Sequence, residues 1–92
     1  MINVYFGVIG AGHIGKRHME MIRRKEGFNL VAIADIRSKE ACGVDDDNVP
    51  HYIDHKAMLE AHPELDVVCV CTPNGLHAQQ SIDAISSNCH VV

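Results

Sequence analysis

Residues Gly10–Gly15 read Gly-Ala-Gly-His-Ile-Gly and so have the spacing G-x-G-x-x-G. The apolar run Val4–Ile9 predicts a strand before them, and an amphipathic segment predicts a helix after them. In such a connection the first glycine permits a tight turn, the second lets backbone approach a pyrophosphate, and the third lets the helix pack against the sheet. The free N–H groups and the positive dipole end of the helix attract the same anion. The segment therefore predicts a dinucleotide-binding turn.

Asp35 follows the second apolar run, Leu30–Ala34, and stands twenty residues beyond Gly15, the separation typical of a ribose-binding carboxylate. Because a carboxylate only accepts hydrogen bonds, it suits ribose hydroxyls and repels a 2′-phosphate, which favours NAD over NADP. Arg37 and Lys39 are near enough in sequence to compensate, so NADP stays open as a second cofactor. Two other interpretations also stay open: a glycine-rich turn that binds nothing, and a mononucleotide or S-adenosylmethionine site.

Strand-like and helix-like segments alternate along the chain. The helix after the glycines is expected to turn one face inward, which comprises Ile14, His18, Met21 and Ile22. It is expected to end near Gly27, with the basic cluster 23–25 in its last turn, where cations complement the helix dipole. Residues 38–42 predict a short helical turn, residues 43–48 a solvated acidic loop, and Tyr52–Ile53 a short third strand.

Asp54 predicts the N-cap of a further helix, which buries Met58 and Leu59 and ends by Pro63. After it, Val67–Cys71 is a continuous apolar run, typical of a strand that is covered on both faces. These two elements continue the alternation of helices and strands.

The last segments complete the same pattern. Thr72–Gly75 predicts a turn in which Asn74 caps the following helix. That helix is expected to direct three apolar side chains inward: Ala78, Ile82 and Ile85. His90–Val92 predicts the start of another strand. Because strands separated by helices favour right-handed βαβ crossovers, we predict an α/β fold: a doubly wound parallel sheet with helices on both faces.

The composition is typical of a soluble globular protein, with 92 residues, of which 47% are hydrophobic and 22% charged. This length suits one domain. The net charge of −4 disfavours nucleic acid as a partner. No apolar run reaches the roughly 18 residues of a membrane span, and the apolar amino terminus lacks the basic residues and cleavage site of a signal peptide. We therefore expect a cytoplasmic protein without a membrane partner.

The cysteines and histidines show no metal-binding pattern. Cysteines occur at positions 42, 69, 71 and 89, without C-x-x-C spacing. Cys69 and Cys71 would share one face of a strand, where the geometry for a disulfide is poor, so we expect free thiols that behave as small apolar groups. His51 and His55 are four residues apart, but the helix start at Asp54 puts them on different elements. We predict no metal site.

A second motif is more specific than the glycines. Residues Asp66–His77 read D-V-V-C-V-C-T-P-N-G-L-H. Together with the glycine turn and Asp35, this segment resembles the glucose–fructose oxidoreductase and inositol dehydrogenase (Gfo/Idh/MocA) family, whose N-terminal half carries D-V-V-x-[IV]-x-T-P-N-x-x-H before a helix and a strand. The resemblance covers nearly all 92 residues and implies a Rossmann-like domain, here truncated at about its fifth strand.

The resemblance implies that Thr72, Pro73 and Asn74 line the cofactor near its ribose and nicotinamide end, and that His77 faces the same cleft. Motif and resemblance together predict these cofactor-binding residues: Gly10, Gly12, His13, Ile14, Gly15, Asp35, Ile36, Arg37, Cys71, Thr72, Pro73, Asn74 and His77. No metal ligand is included. The expected cofactor is NAD, with NADP as the second choice.

The resemblance also implies the activity of a longer, homo-oligomeric parent enzyme: hydride transfer between NAD(P) and a secondary alcohol of a sugar, cyclitol or nucleotide-sugar. The family carries a Glu-Lys-Pro element after the strand that begins at His90, and then a substrate-binding domain; neither lies within residues 1–92. We therefore expect an incomplete dinucleotide-binding domain with no catalytic residue and no turnover by itself. The alternatives are a non-catalytic module that binds or senses NAD(H) and a small structural domain.

Overall fold

The structure, a computed structural model, describes residues 2–44 and 48–92. Strands and helices alternate along these residues. The strands are β1 (Val4–Ile9), β2 (Phe28–Ala34), β3 (His51–Tyr52), β4 (Val67–Val70) and β5 (His90–Val91). The helices are α1 (His13–Arg24), α2 (Lys39–Cys42), α3 (His55–Ala61) and α4 (Asn74–Ser86).

The strands form one parallel sheet in the order β3-β2-β1-β4-β5. From the central strand β1 the chain moves outward through β2 and β3, then returns across β1 and moves outward through β4 and β5. In such a sheet a crevice opens at the carboxyl ends of the strands where the order reverses, here between β1 and β4. The predicted α/β fold with a doubly wound parallel sheet is confirmed.

Two apolar clusters cover the two faces of the sheet, as continuously apolar strands predict. Val8 belongs to the cluster that contains Met19 of α1. Its neighbour Ile9 belongs to the cluster that contains Met58 of α3 and Ala84 of α4. Because successive residues of a strand point to opposite faces, one apolar run supports helices on both sides.

Strand ends differ slightly from the prediction. β2 begins two residues earlier, at Phe28, and β3 is His51–Tyr52 rather than Tyr52–Ile53. β4 ends at Val70, so Cys71 lies just beyond it. The acidic centre of the predicted solvated loop, residues 45–47, lies outside the described residues.

The predicted cap of α3 is confirmed, and that of α4 is wrong. The Asp54 carboxylate accepts a hydrogen bond from the Lys56 N–H at 2.9 Å, directly before α3. Asn74 is instead the first residue of α4, and Pro73 takes the N-cap position in an extended conformation. Proline suits the beginning of a helix because its missing N–H would have no partner within the helix there.

The buried face of α1 is rotated from the predicted one. The buried residues are Gly15, Met19 and Ile22, whereas Ile14 and Met21 are 60% and 67% exposed. The rotation follows from Gly15, which packs against the preceding turn and so directs positions four and seven residues later inward.

The predicted inward face of α4 is wrong as well. Ile82 and Ile85 are 55% and 60% exposed, and Ala78 is also exposed. The buried residues on this helix are Gln80 and Ala84. Two contacts explain the rotation: Gln80 is hydrogen-bonded to the turn before the helix, and the small Ala84 packs in the core beneath it.

Candidate functional site

The glycine turn between β1 and α1 has no room for side chains at two of its positions. Gly10 has a φ of +91°, and its N–H donates to the Ala34 carbonyl at 2.7 Å. A Cβ at Gly10 would lie 2.9 Å from the Cys71 carbonyl group. A Cβ at Gly15 would lie 1.9 Å from the carbonyl oxygen of Gly10. The turn is therefore closed on its protein side, as the motif predicts.

Gly12, in contrast, faces open space. A Cβ at this position would have only the Arg37 Nη2 atom within 4 Å, at 3.9 Å. Gly12 is the N-cap of α1, which has no side-chain cap and no acidic residue in its first turn. The next two residues, His13 and Ile14, expose their side chains. An open backbone surface at the positive end of a helix suits a bound anion.

The Asp35 carboxylate, at the end of β2, accepts hydrogen bonds on both oxygens. Oδ2 accepts from the Ala11 N–H at 2.8 Å and from the Arg37 Nη2 atom at 2.9 Å. Oδ1 accepts from the Arg37 N–H at 2.8 Å and from its Nε atom at 3.1 Å. The Asp35 side chain is 7% exposed and the Arg37 side chain 49%. Asp35 thus ties the glycine turn to β2, and Arg37 covers it in a bidentate ion pair.

This ion pair keeps Asp35 ionised. The hydrogen bond from the Arg37 side chain holds the pKa of Asp35 well below its usual range, although burial of the carboxyl group opposes the shift. Lys39, the other cation expected near this carboxylate, donates instead to the Val49 carbonyl at 2.9 Å. Arg37 is therefore the compensating cation at the predicted ribose position.

The turn after β4 borders the glycine turn. The Cys71 N–H donates to the Ile9 carbonyl at 2.8 Å, which aligns this turn with the end of β1. The Thr72 hydroxyl donates to the Oε1 atom of Gln80, a side chain that is 9% exposed. Pro73 then precedes α4. Two turns from distant parts of the sequence thus meet at one edge of the sheet.

The two turns enclose a cleft of about 750 Å³, a size within the usual range of small-molecule sites. Its lining includes these predicted residues: Gly10, Gly12, Asp35, Ile36, Arg37, Cys71, Thr72 and Pro73. Four other predicted residues do not line it: His13, Ile14, Gly15 and His77. Gly15 packs against the glycine turn from behind, and the half-buried His77 lies in the first turns of α4, where its carbonyl accepts from the Ser81 hydroxyl. Asn74 opens α4 directly after Pro73.

A part of the lining comes from the segments after β3 and β4 and was not predicted from the sequence. The missed residues are Ile53, Asp54, His55, Leu76, Gln79 and Gln80. Those after β3 could have been found, because all strands of a parallel sheet end at the same edge. Those on α4 could not, because the periodicity predicted the wrong face of this helix.

Exposed apolar side chains border the cleft. Ile36 is 79% exposed, Ile53 66% and Leu76 48%, and all three line the cleft. Water in contact with such surface is displaced favourably by a flat, weakly polar ligand group.

The cysteines are free thiols, as predicted. Burial raises the pKa of Cys69 to about 11, and it also raises the pKa of Cys71. The Cys71 thiol therefore contributes a neutral surface to the cleft rather than a nucleophile.

Neither a grouped metal-binding set nor a helix able to cross a membrane is found among residues 2–44 and 48–92. In that part of the chain, no three His, Cys, Asp or Glu side chains are grouped so as to hold a metal ion. None of its helices combines the length and the apolar character that crossing a membrane requires.

Known proteins match this chain along nearly its whole length. The family model described as "Oxidoreductase family, NAD-binding Rossmann fold" (Gfo/Idh/MocA) matches residues 4–92. An uncharacterized oxidoreductase of Bacillus subtilis, YrbE, is 33% identical over 87 residues, which cover 92% of this chain and 25% of YrbE. D-glucoside 3-dehydrogenase of Escherichia coli is 34% identical over 88 residues, which cover 92% of this chain and 25% of that enzyme.

A solved structure supports the same grouping. Scyllo-inositol dehydrogenase from Lactobacillus casei, with bound NAD(H) and scyllo-inositol, superimposes with a TM-score of 0.79 at 27% identity, over 97% of this chain and 27% of that one. The chain thus spans about a quarter of the length of the relatives that it matches.

Proposed function

Since the chain belongs to the Gfo/Idh/MocA oxidoreductase family with its NAD-binding Rossmann fold, we propose that residues 1–92 form the dinucleotide-binding part of an NAD-dependent oxidoreductase. One observation carries the proposal: the glycine turn, Asp35 and the Thr72–Pro73 turn line a single cleft at the carboxyl edge of the sheet. The similar fold of the Lactobacillus casei dehydrogenase, which is described with bound NAD(H), supports the choice of cofactor.

The diphosphate of the cofactor is expected at Gly12 and the start of α1. This position combines free space, an uncapped helix end and no nearby acidic residue in the first turn. Because backbone N–H groups provide the binding surface, the absence of a side chain at Gly12 is what allows close approach.

The adenosine ribose is expected at Asp35. Its hydroxyl groups would replace the Arg37 guanidinium as hydrogen-bond donors to this carboxylate. Both carboxylate oxygens are already occupied, so ribose hydroxyls must replace the bonds from the exposed guanidinium. The bonds from the backbone N–H groups of Ala11 and Arg37 would keep the carboxylate in place during this replacement. A 2′-phosphate would meet the Asp35 charge, so NAD is preferred, while Arg37 offsets a part of the repulsion toward NADP.

The ribose and nicotinamide end of the cofactor is expected at Thr72, Pro73 and Asn74, after β4. Thr72 is held by its hydrogen bond to the buried Gln80. This bond fixes the turn before the ligand arrives, which lowers the entropy cost of binding. His77 is not part of the cleft lining, so no contact with the cofactor is proposed for it.

The activity of the whole protein is proposed on the basis of its relatives, because the chain spans about a quarter of their length. We propose hydride transfer between NAD and a secondary alcohol of a sugar, cyclitol or nucleotide-sugar. Relatives named D-glucoside 3-dehydrogenase and myo-inositol 2-dehydrogenase support this substrate class. The nicotinamide ring supplies the hydride chemistry when bound, and the residues of this chain bind and orient it.

A non-catalytic NAD(H)-binding module is the second candidate. Among the described residues that line the cleft, each carboxylate and imidazole group already has a hydrogen-bond partner. Asp35 is bonded to Arg37, Asp54 to the first turn of α3, and His55 to Asp83. None is placed as a free proton donor or acceptor. A longer protein that binds NAD and oxidises no polyol would favour this candidate over the dehydrogenase.

Calorimetric titration of the chain with NAD and NADP tests the proposal, with Gly12→Ala as the variant. We expect the wild type to bind NAD more tightly than NADP. The new methyl group of Gly12→Ala occupies open space, so the fold is kept while NAD affinity falls by about tenfold or more.

Gly75→Ala is the matched control. A Cβ at Gly75 meets nothing within 4 Å, and this residue is absent from the cleft lining. NAD affinity should therefore stay unchanged. Failure of the wild type to bind NAD at millimolar concentration would overturn the proposed function. Equal NAD affinities of Gly12→Ala and Gly75→Ala would contradict the placement of the diphosphate at Gly12.

A further inference from the structure

A carboxylate outside the cleft lining holds two side chains that line it. Asp83, on α4, accepts a hydrogen bond from the Gln79 Nε2 atom at 2.9 Å through Oδ1. Its Oδ2 atom lies 2.8 Å from the Nε2 atom of His55, on α3. Because a carboxylate only accepts, the His55 Nε2 atom carries the proton of this bond. His55 and Gln79 line the cleft, and Asp83 does not. We call these three residues the α3–α4 clasp.

The clasp is partly shielded from water. The side chains of His55 and Asp83 are 15% and 19% exposed. The hydrogen bond from His55 has the largest effect on the pKa of Asp83 and lowers it, and the bond from Gln79 lowers it further. The carboxylate is therefore ionised and accepts both bonds. Limited access of water strengthens the bond between His55 and the ionised Asp83, whereas Gln79 is exposed and its bond to Asp83 is solvated and weaker. The clasp therefore restricts two side chains that come from different helices.

The sheet order places the α3 part of the clasp on the adenosine side of the cleft. His55 follows β3, and β3 lies next to β2, whose end carries Asp35. Two of the exposed apolar lining residues, Ile36 and Ile53, follow the same pair of strands. Leu76, on the first turn of α4, adds a third apolar side chain. The α3 part of the clasp thus lies with Ile36 and Ile53 next to the carboxylate proposed to bind the adenosine ribose, and Leu76 and Gln79 line the same cleft from α4.

We propose that Asp83 is a positioning residue for the adenosine end of the dinucleotide. It holds the His55 imidazole and the Gln79 amide in place, so that the apolar surface of Ile36, Ile53 and Leu76 stays open to the flat base. This inference rests on the proposed function, since it needs the adenosine to bind beside Asp35. Preorganising a wall of the site before the ligand arrives raises affinity, because less side-chain motion is lost on binding.

The test compares two probes, AMP and inorganic pyrophosphate, on the same variants of the chain. Asp83→Leu removes both hydrogen bonds of the clasp. We expect about tenfold weaker binding of AMP and NAD, because the His55 and Gln79 side chains must then be ordered when the ligand binds. Pyrophosphate, which needs only the glycine turn, should bind as it does to the wild type.

Two further variants separate positioning from a general loss of structure. Asp83→Asn keeps an oxygen that accepts from Gln79 and adds an N–H₂ group that can donate to the other tautomer of His55, so it should restore AMP affinity to within about twofold of wild type. Glu60→Leu removes an exposed carboxylate from the neighbouring helix α3 and should change neither probe.

Each outcome decides the inference. Equal loss of AMP and pyrophosphate binding in Asp83→Leu would show a purely structural role and overturn it. If Asp83→Leu shows no thermal unfolding transition, His55→Phe replaces it as the test variant, because it keeps a ring and removes the bond to Asp83. Unchanged AMP affinity in His55→Phe would overturn the inference. A wild type that binds neither AMP nor NAD contradicts the proposed function itself, whereas a wild type that binds both, with unaffected variants, contradicts the clasp alone.

Discussion

The cleft has two walls that are built on different principles. The wall formed by the glycine turn consists of backbone in close contact, where a Cβ at Gly15 would lie 1.9 Å from a carbonyl oxygen. The wall formed by α3 and α4 consists of side chains held by hydrogen bonds, including Gln80, which is bonded to Thr72, and His55, which is bonded to Asp83 outside the lining. The first wall excludes side chains, and the second depends on them.

This difference determines how each wall responds to substitution. Backbone contact at Gly10 and Gly15 leaves no atom that can move away, so a methyl group added at either position must displace the chain. A side-chain hydrogen bond can be lost or replaced while the helices stay packed, which affects affinity more than folding. We therefore expect substitutions at Gly10 and Gly15 to lower stability, and substitutions in the α3–α4 wall to lower ligand affinity more than stability.

The largest expected effect is that of Gly15→Ala on stability. The new Cβ would overlap the Gly10 carbonyl oxygen, so we expect a loss of about 3 kcal/mol or more in the free energy of unfolding. Urea unfolding followed by circular dichroism measures it. Gly75→Ala, in the first turn of α4 and in open space, should instead be neutral or stabilising by up to about 1 kcal/mol. Similar stabilities of the two variants would contradict the contrast between the walls.

An intermediate effect is expected from Asp35→Ala on cofactor preference. Removal of the carboxylate deletes the acceptor for the ribose hydroxyls and also the charge that repels a 2′-phosphate. NAD affinity should therefore fall by about tenfold, and NADP affinity by less. Parallel titrations with both cofactors measure the ratio. Arg37→Ala is the complementary variant, and it should weaken NADP more than NAD; equal losses for both cofactors in Asp35→Ala would refute the assignment.

The smallest expected effect is that of Ile82→Glu on stability. This side chain is 55% exposed on the outer face of α4, so the substitution should change the free energy of unfolding by no more than about 0.5 kcal/mol. Ala84→Leu, on the buried face of the same helix, should cost about 1–3 kcal/mol through overpacking. Chemical denaturation measures both losses. A larger loss of stability in Ile82→Glu than in Ala84→Leu would support the inward face that the sequence pattern predicts.

Much of the fold and half of the cleft could be predicted from the sequence. Continuous apolar runs identify β1, β2 and β4 because a strand that is covered on both faces must be apolar at every position. Asp54 identifies the start of α3 because its carboxylate can reach the N–H two residues on. The glycine spacing and the Thr72–Pro73 turn locate the residues that the structure brings together at one edge.

Helix orientation could not be predicted in the same way. On α1 and α4 the periodic apolar residues Ile14, Ile82 and Ile85 are exposed. The faces that pack are chosen instead by Gly15 against the glycine turn, by Ala84 in the core, and by Gln80 through its bond to the Thr72 turn. Because small and polar residues do not contribute to the periodic pattern of large apolar side chains, this pattern could not identify the buried positions on these helices.

The sequence by itself determined the alternation of elements, the two-sided core, the glycine turn and the family, because each of these depends on residues that are close in sequence. Only the tertiary structure decided that Arg37 occupies both oxygens of Asp35, and that His55 and Gln79 line the cleft while hydrogen-bonded to Asp83. The His55–Asp83 contact joins residues 28 positions apart. Its geometry depends on how the helices rotate against the sheet, and that rotation is settled by packing rather than by local sequence.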